Sequence, residues 1–180
     1  MLEKIKNEKF VIFDTETTGL MPENGDEIIE IAAQKIQNNE VISEFYSLVR
    51  PGVPVTDGAY AVHGYSDQYL AENGAYPQQI IPQFCDFAAD SILVGHNIMS
   101  FDLGFLNRQL QQLGLSPMNN LVIDTLIMAR KLLPNLYNHK LSTVAQHFQI
   151  DCQGAHRAKA DVEMNKQVFL KLLEIYLNQK

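Results

Sequence analysis

Lys9-Phe10-Val11-Ile12-Phe13-Asp14-Thr15-Glu16-Thr17-Thr18-Gly19-Leu20 decides how this chain is read. Phe10 to Phe13 is an unbroken apolar run of the kind that makes a buried strand, and it ends in two carboxylates two positions apart. Side chains at i and i+2 of a strand point to the same face, so Asp14 and Glu16 share one side without unusual backbone geometry. Two unpaired carboxylates beside apolar neighbours repel each other and resist desolvation, so the pair calls for a cation between them. Donors that are all oxygen favour Mg²⁺ or Mn²⁺ over zinc.

Working outward, 9–14, 27–36 and 41–49 are rich in Ile, Val and Phe, and short polar links separate them, which predicts three sequential strands. Gln37-Asn38-Asn39-Glu40 is the expected hairpin turn, although it lacks the favoured Asn-Gly pair. Arg50-Pro51-Gly52-Val53-Pro54 breaks the pattern, because proline cannot continue a central strand. Beyond it come short helical turns and then a helix over 77–89, on which Ile80, Ile81, Phe84, Phe87 and Ala88 recur at helical spacing. A short buried strand is expected over 91–95, a helix over 100–113 ended by Gly114, and a brief fifth strand over 121–123. Helices over 124–133, 141–148 and 161–177 complete the chain. Three strands followed by alternating helix and strand describe an α/β sandwich with a central mixed five-stranded sheet flanked by helices.

The 180 residues, 46% of them hydrophobic, suffice for one domain with a substantial core, so 1–180 is expected to form a single unit. No stretch of about 18 apolar residues offers a membrane span, and Met1-Leu2-Glu3-Lys4-Ile5-Lys6 lacks the apolar core of a signal peptide, so a cytoplasmic protein without a membrane partner is expected. Cys85 and Cys152 have no zinc-site spacing around them and read as free thiols. A net charge of −7 argues against gripping a long duplex through many phosphates. It leaves room for an enzyme that holds a few nucleotides, whose carboxylates are metal ligands and whose ions supply the positive charge.

Three further groups bear on that chemistry. Asp102 opens the 100–113 helix and by itself reads as an acid at a helix N-terminus. Upstream, Val94-Gly95-His96-Asn97 ends a strand, and ligands of open α/β sheets gather at strand carboxyl ends, so His96, Asn97 and Asp102 are expected to face a cleft. His156 and Asp161 are five residues apart, about 140° around one continuous helix, and would not share a face there. They converge if His156 lies on the loop that Gly154 permits, where an imidazole of pKa near 6.5 can accept a proton at neutral pH. Taken alone, surface positions remain the simpler reading of this pair. His63, in Ala61-Val62-His63-Gly64, either reaches a substrate or caps a loop, while His139 and His147 read as surface or packing residues.

Together, Phe13-Asp14-Thr15-Glu16-Thr17-Thr18-Gly19-Leu20, Val94-Gly95-His96-Asn97 with Phe101-Asp102-Leu103-Gly104-Phe105-Leu106, and His156-x4-Asp161 resemble the three motifs of the DEDDh 3′–5′ exonuclease family. The chain is most similar to the branch that holds the proofreading epsilon subunits of bacterial DNA polymerase III, over about 9–177. The resemblance implies a ribonuclease H-like fold and hydrolysis of the terminal phosphodiester with two ions about 4 Å apart. It implies that Asp14, Glu16 and Asp161 ligate one ion, that Asp14 bridges to a second which Asp102 supports, and that His156 deprotonates the attacking water. It also implies that the Thr17, Thr18, Gly19 and Leu20 backbone meets the terminal nucleotide with Leu20 as a wedge, while His63, Asn97 and Phe101 line the pocket.

One position departs: Gly58 stands where the epsilon subunits carry an acidic residue near the substrate. Gln112-Leu113-Gly114-Leu115 resembles a sliding-clamp motif faintly, and a helix end accounts for it better. The expected partner is therefore a nucleic acid 3′ end, DNA favoured over RNA, with a replicative polymerase subunit or sliding clamp as a further partner. Two alternatives stand beside this: an RNA-trimming exoribonuclease of the same family, since the active-site residues do not read the 2′-hydroxyl, and a silent nucleic-acid-binding module. The second would be expected to lack a ligand or the histidine, and this chain has all five residues.

Overall fold

The computed structural model describes residues 8–152 and 157–179. Five strands, β1 (Phe10–Thr17), β2 (Ile28–Gln37), β3 (Glu40–Leu48), β4 (Ile92–Gly95) and β5 (Val122–Asp124), form one sheet in the order β3-β2-β1-β4-β5. The β1, β2 and β3 meander is antiparallel, whereas β4 pairs in parallel with β1 and with β5, so the sheet is mixed as its sequence pattern predicts. The β2–β3 turn works without glycine because Asn38 and Asn39 both take positive φ, 55° and 66°, the conformation a two-residue hairpin of matching twist demands and asparagine tolerates.

Among the described residues, seven α-helices cover the sheet: α1 (Asp57–His63), α2 (Asp67–Asn73), α3 (Pro77–Ala88), α4 (Asp102–Gln112), α5 (Thr125–Leu132), α6 (Leu141–His147) and α7 (Ala158–Asn178). Alternation along β1 sorts them. Val11 and Phe13 point to one face and pack with Phe84 of α3 and Phe105, Leu106 and Leu110 of α4. Phe10 and Ile12 point to the other and meet Val162 and Phe169 of α7, with the Phe10 and Phe169 rings 5.1 Å apart. A third cluster, Ala129, Val144, Met164, Val168 and Leu172, seats α5 and α6 against α7. Among the described residues no helix is long and apolar enough to cross a membrane.

Two boundaries differ from the sequence expectation in a way that matters. β1 continues through Thr17, with a register shift only between Glu16 and Thr17, so both acidic residues sit inside the strand. α7 begins at Ala158 rather than Asp161, which puts Asp161 in its first turn, facing the sheet. Apolar periodicity could not mark that start, because the first turn, Ala158-Lys159-Ala160-Asp161, has two small residues and two charges.

Candidate active site

β4 is short, and its shortness makes the site. It pairs with β1 only at Phe10, Val11 and Ile12. Past that point the outer edge of β1 has no strand beside it, and its next inward donors need another acceptor. Asp102 supplies it: its Oδ1 accepts from the Thr15 amide at 3.0 Å and from Thr15 Oγ1 at 2.8 Å. A carboxylate from the first residue of α4 thus stands in for the missing strand, at the helix end where a negative charge is best tolerated.

On the other face of β1, Asp14 and Glu16 meet Asp161 of α7. Each offers a carboxylate oxygen, and the three oxygens lie within 4.8 Å of one another. Oxygens that each stand roughly 2.0–2.6 Å from one ion span about this distance, so the set fits a hard divalent cation. Electrostatics point the same way. Burial, and then the charges of Asp102, Asp161 and Glu16, hold the Asp14 carboxyl well above the usual range. Burial, then Asp161 and Glu30, push Glu16 up to about 8, with Arg157 acting weakly in the opposite sense. Asp102 rises to about 6 through burial, against the lowering effect of its Thr15 hydrogen bonds. Four acids so placed need protons or a cation, and at neutral pH a cation is the better answer.

The loop after β1 is rigidly built. Thr18 donates its amide to the Glu27 carbonyl and accepts from the Glu27 amide, at 2.8 and 3.0 Å. Asp26 accepts from the Met21 amide at 2.9 Å. A Cβ on Gly19 would overlap the Asp26 carboxylate, so a side chain there would push Asp26 off its bond to the Met21 amide. The result is a loop that holds Thr17 and Thr18 buried while presenting Leu20, 74% exposed, and Met21 beside it. His63 is buried at the end of α1; its Nδ1 accepts from the Tyr65 amide, so the proton sits on Nε2. That Nε2 makes no well-formed hydrogen bond among the described residues, although the Thr17 carbonyl is near enough to oppose the lowering of its pKa by burial. His63 therefore lies beside the loop. Gly58, in the first turn of α1, has nothing within 4 Å of where a side chain would project.

Asn97 and Phe101 lie on the segment that joins β4 to α4. Asn97 takes a positive φ of 65°, and its amide donates to Asp124 Oδ1 at 3.1 Å. Phe101 is half buried, its ring 5.0 Å from that of Phe105. His96 does not join them, contrary to the sequence expectation. Its Nδ1 lies 3.0 Å from Thr125 Oγ1 and its Nε2 2.8 Å from the His139 carbonyl, so it ties β4 to α5 and to the segment before α6. His156 lies outside the described residues.

Two acidic residues had no role in the sequence reading. Asp124 caps α5 and holds the Asn97 and Met99 amides, fixing the turn that leads into α4. Glu30 is 1% exposed in β2, directly across from Glu16 in the strand register. Its signal was a charge inside the apolar run Ile28-Ile29-Glu30-Ile31-Ala32.

Comparison with known proteins agrees with this geometry. The RNase_T family model, described as "Exonuclease", matches residues 11–169. The PolC-type DNA polymerase III of Caldanaerobacter subterraneus subsp. tengcongensis is 37% identical over 166 residues, which is 92% of this chain and 12% of that polymerase. The PolC-type enzyme of Listeria monocytogenes is 36% identical over 94% of this chain and 12% of its own length. The chain thus spans little more than a tenth of these curated relatives. Among solved structures, E. coli exonuclease I in complex with a dA16 oligonucleotide superposes with a TM-score of 0.82 at 19% identity, over 93% of this chain and 41% of that one. Exonuclease X in complex with 5′ overhanging duplex DNA gives 0.74 at 24% identity, over 92% and 91% of the two chains.

Proposed function

The chain belongs to the exonuclease family that the RNase_T model describes, and from that premise we propose that it removes nucleotides one at a time from the 3′ end of single-stranded or frayed DNA, in proofreading or repair. The observation that carries the proposal is the convergence of Asp14, Glu16 and Asp161 oxygens within 4.8 Å, with Asp102 locked to Thr15 beside them. In this reading Asp14, Glu16, Asp102 and Asp161 would hold Mg²⁺ or Mn²⁺, two ions per site. Bound there, the ions would make water more acidic and offset charge on the phosphate.

The chain's own groups do the rest. His156 accepts the proton of the attacking water, a new P–O bond forms, the P–O3′ bond breaks, and the leaving O3′ takes a proton from solvent, giving a nucleoside 5′-monophosphate and a shortened strand with a 3′-hydroxyl. The Thr17 to Gly19 backbone orients the terminal nucleotide, Leu20 wedges against its base, and His63, Asn97 and Phe101 line the pocket. The exposed Leu20 side chain and the buried, well-bonded Thr18 support that division between wedge and frame. DNA is favoured over RNA because the similar stretches belong to DNA polymerases. The same likeness motivates an association with a replicative polymerase or its clamp, in the cytoplasm, and residues 1–180 are read as one exonuclease domain.

Oligonucleotides of DNA and RNA labelled at the 3′ or the 5′ end, incubated with Mg²⁺, Mn²⁺ or EDTA, test this. Labelled mononucleotide should appear from the 3′ end of DNA, and EDTA or the D14A/E16A double variant should abolish it. Release from the 5′ end, or activity surviving the double substitution, would overturn the assignment. Faster trimming of RNA would move the substrate to the exoribonuclease alternative.

A further inference from the structure

Glu30 is the most deeply buried carboxylate near the site, and every oxygen of it is used. Oε1 accepts from Tyr65 Oη at 2.7 Å and from Tyr46 Oη at 2.9 Å, while Oε2 accepts from the Ala158 amide at 3.1 Å. Ala158 is the first residue of α7, whose cap residue, Arg157, does not cap the helix with its side chain, so Glu30 takes the place of an N-cap from across the sheet. The two tyrosines extend the grip. The Arg157 guanidinium lies over the Tyr65 ring, 4.3 Å from its centroid, and Lys159 Nζ lies 3.8 Å from the centroid of Tyr46. Four elements therefore meet on one carboxylate: β2, β3, the turn after α1, and the start of α7.

What that grip holds is specific. Asp161 lies one helical turn after Ala158, and His156 lies two positions before it in the sequence. A helix start free to fray would displace Asp161 from Asp14 and Glu16, and a misplacement of about 1 Å at such a centre costs on the order of a hundredfold in rate. We propose that Glu30, with Tyr65 and Tyr46 as its donors, is a positioning residue that fixes the first turn of α7 so that Asp161 is presented to the reaction centre. It touches neither substrate nor metal. The inference rests on the nuclease reading for its kinetic consequence, but the anchoring itself does not.

The two parts are tested separately. Glu30→Leu removes both acceptor oxygens, and with them all three hydrogen bonds, while placing an apolar residue in the strand, whereas Glu30→Gln can still turn one oxygen toward Ala158. Amide hydrogen exchange at 158–161 in the metal-free protein should become about tenfold faster in E30L, with E30Q in between, because the acceptor of the Ala158 amide has been lost from the helix start. On a single-stranded DNA oligonucleotide, kcat of E30L should fall about tenfold or more, with KM within about twofold and partial recovery in E30Q. Tyr46→Phe, at a half-exposed position that folds readily, should give the same pattern at smaller amplitude. Unchanged exchange at 158–161 in E30L, or in Y46F should E30L not fold, would overturn the anchor. A loss carried by KM, or no loss of kcat, would overturn the positioning role. If the unsubstituted protein does not cleave DNA, the nuclease reading fails, and exchange still decides whether Glu30 anchors α7.

Discussion

The two halves of β1 are built on opposite principles. From Phe10 to Ile12 the strand is paired on both sides, by β2 and β4, and its side chains are apolar on both faces. From Asp14 to Thr17 only β2 remains, and side-chain oxygens replace the lost ladder: Asp102 at the open edge, and Asp14, Glu16 and Asp161 on the face toward α7. The first half is stable because everything in it is satisfied without help. The second half is a set of mutually repelling carboxylates whose raised pKa values record how much the fold gives up to keep them together.

Substitutions should separate the halves, with opposite signs on activity and stability. The largest effect is expected from Asp14→Asn, which should lower 3′-end cleavage by about a thousandfold or more, by the reasoning that a lost ligand disables ion binding. The same change should leave the metal-free melting temperature equal or higher, because one of four like charges is gone; a melt that falls by many degrees would break the contrast. Phe13→Ala, in the paired half, should do the reverse, costing roughly 3–5 kcal/mol of stability in denaturant titration while cleavage per folded molecule at low temperature is largely kept.

A smaller effect comes from pH. The Glu16 carboxyl ordinarily titrates at 4.5 and is held near 8 in the fold, so between those values the folded chain keeps a proton that the unfolded chain has released. That contribution is complete below about 4.5 and is lost as pH rises through 8. The metal-free protein should therefore melt a few degrees lower at pH 8 than at pH 5.5 in calorimetry, and Mg²⁺ should restore more of that stability at pH 8. The smallest effect is expected from Thr15→Val, which removes the hydroxyl that Asp102 accepts from and keeps the amide. Cleavage should drop about tenfold, and a full loss would mean that Thr15 acts beyond orienting Asp102.

Much of the first half was legible in the sequence, and so was the chemistry of the second. The apolar run, the Asp14-x-Glu16 pair and Asp102 at a helix start all stand where local pattern puts them. His96 was misread because a polar residue at a strand's end looks the same whether it faces solvent or bridges two helices, and only the positions of Thr125 and the His139 carbonyl turn it inward. Glu30 was passed over for the converse reason, being one charge in a strand otherwise correctly taken as buried.

Sequence alone determined the period of each element, which side chains share a face, and which residues have oxygen to offer a cation. Those are properties of neighbours along the chain, within reach of a 2.0 or 3.6 residue repeat. Tertiary structure alone decided that β4 ends early enough to open the edge of β1, that Asp102 fills it, and that Asp161 arrives on the opposite face under the grip of Glu30. Those pairings join residues 87 and 128 positions apart. Such contacts follow from how layers stack and where strands stop, which no local repeat encodes.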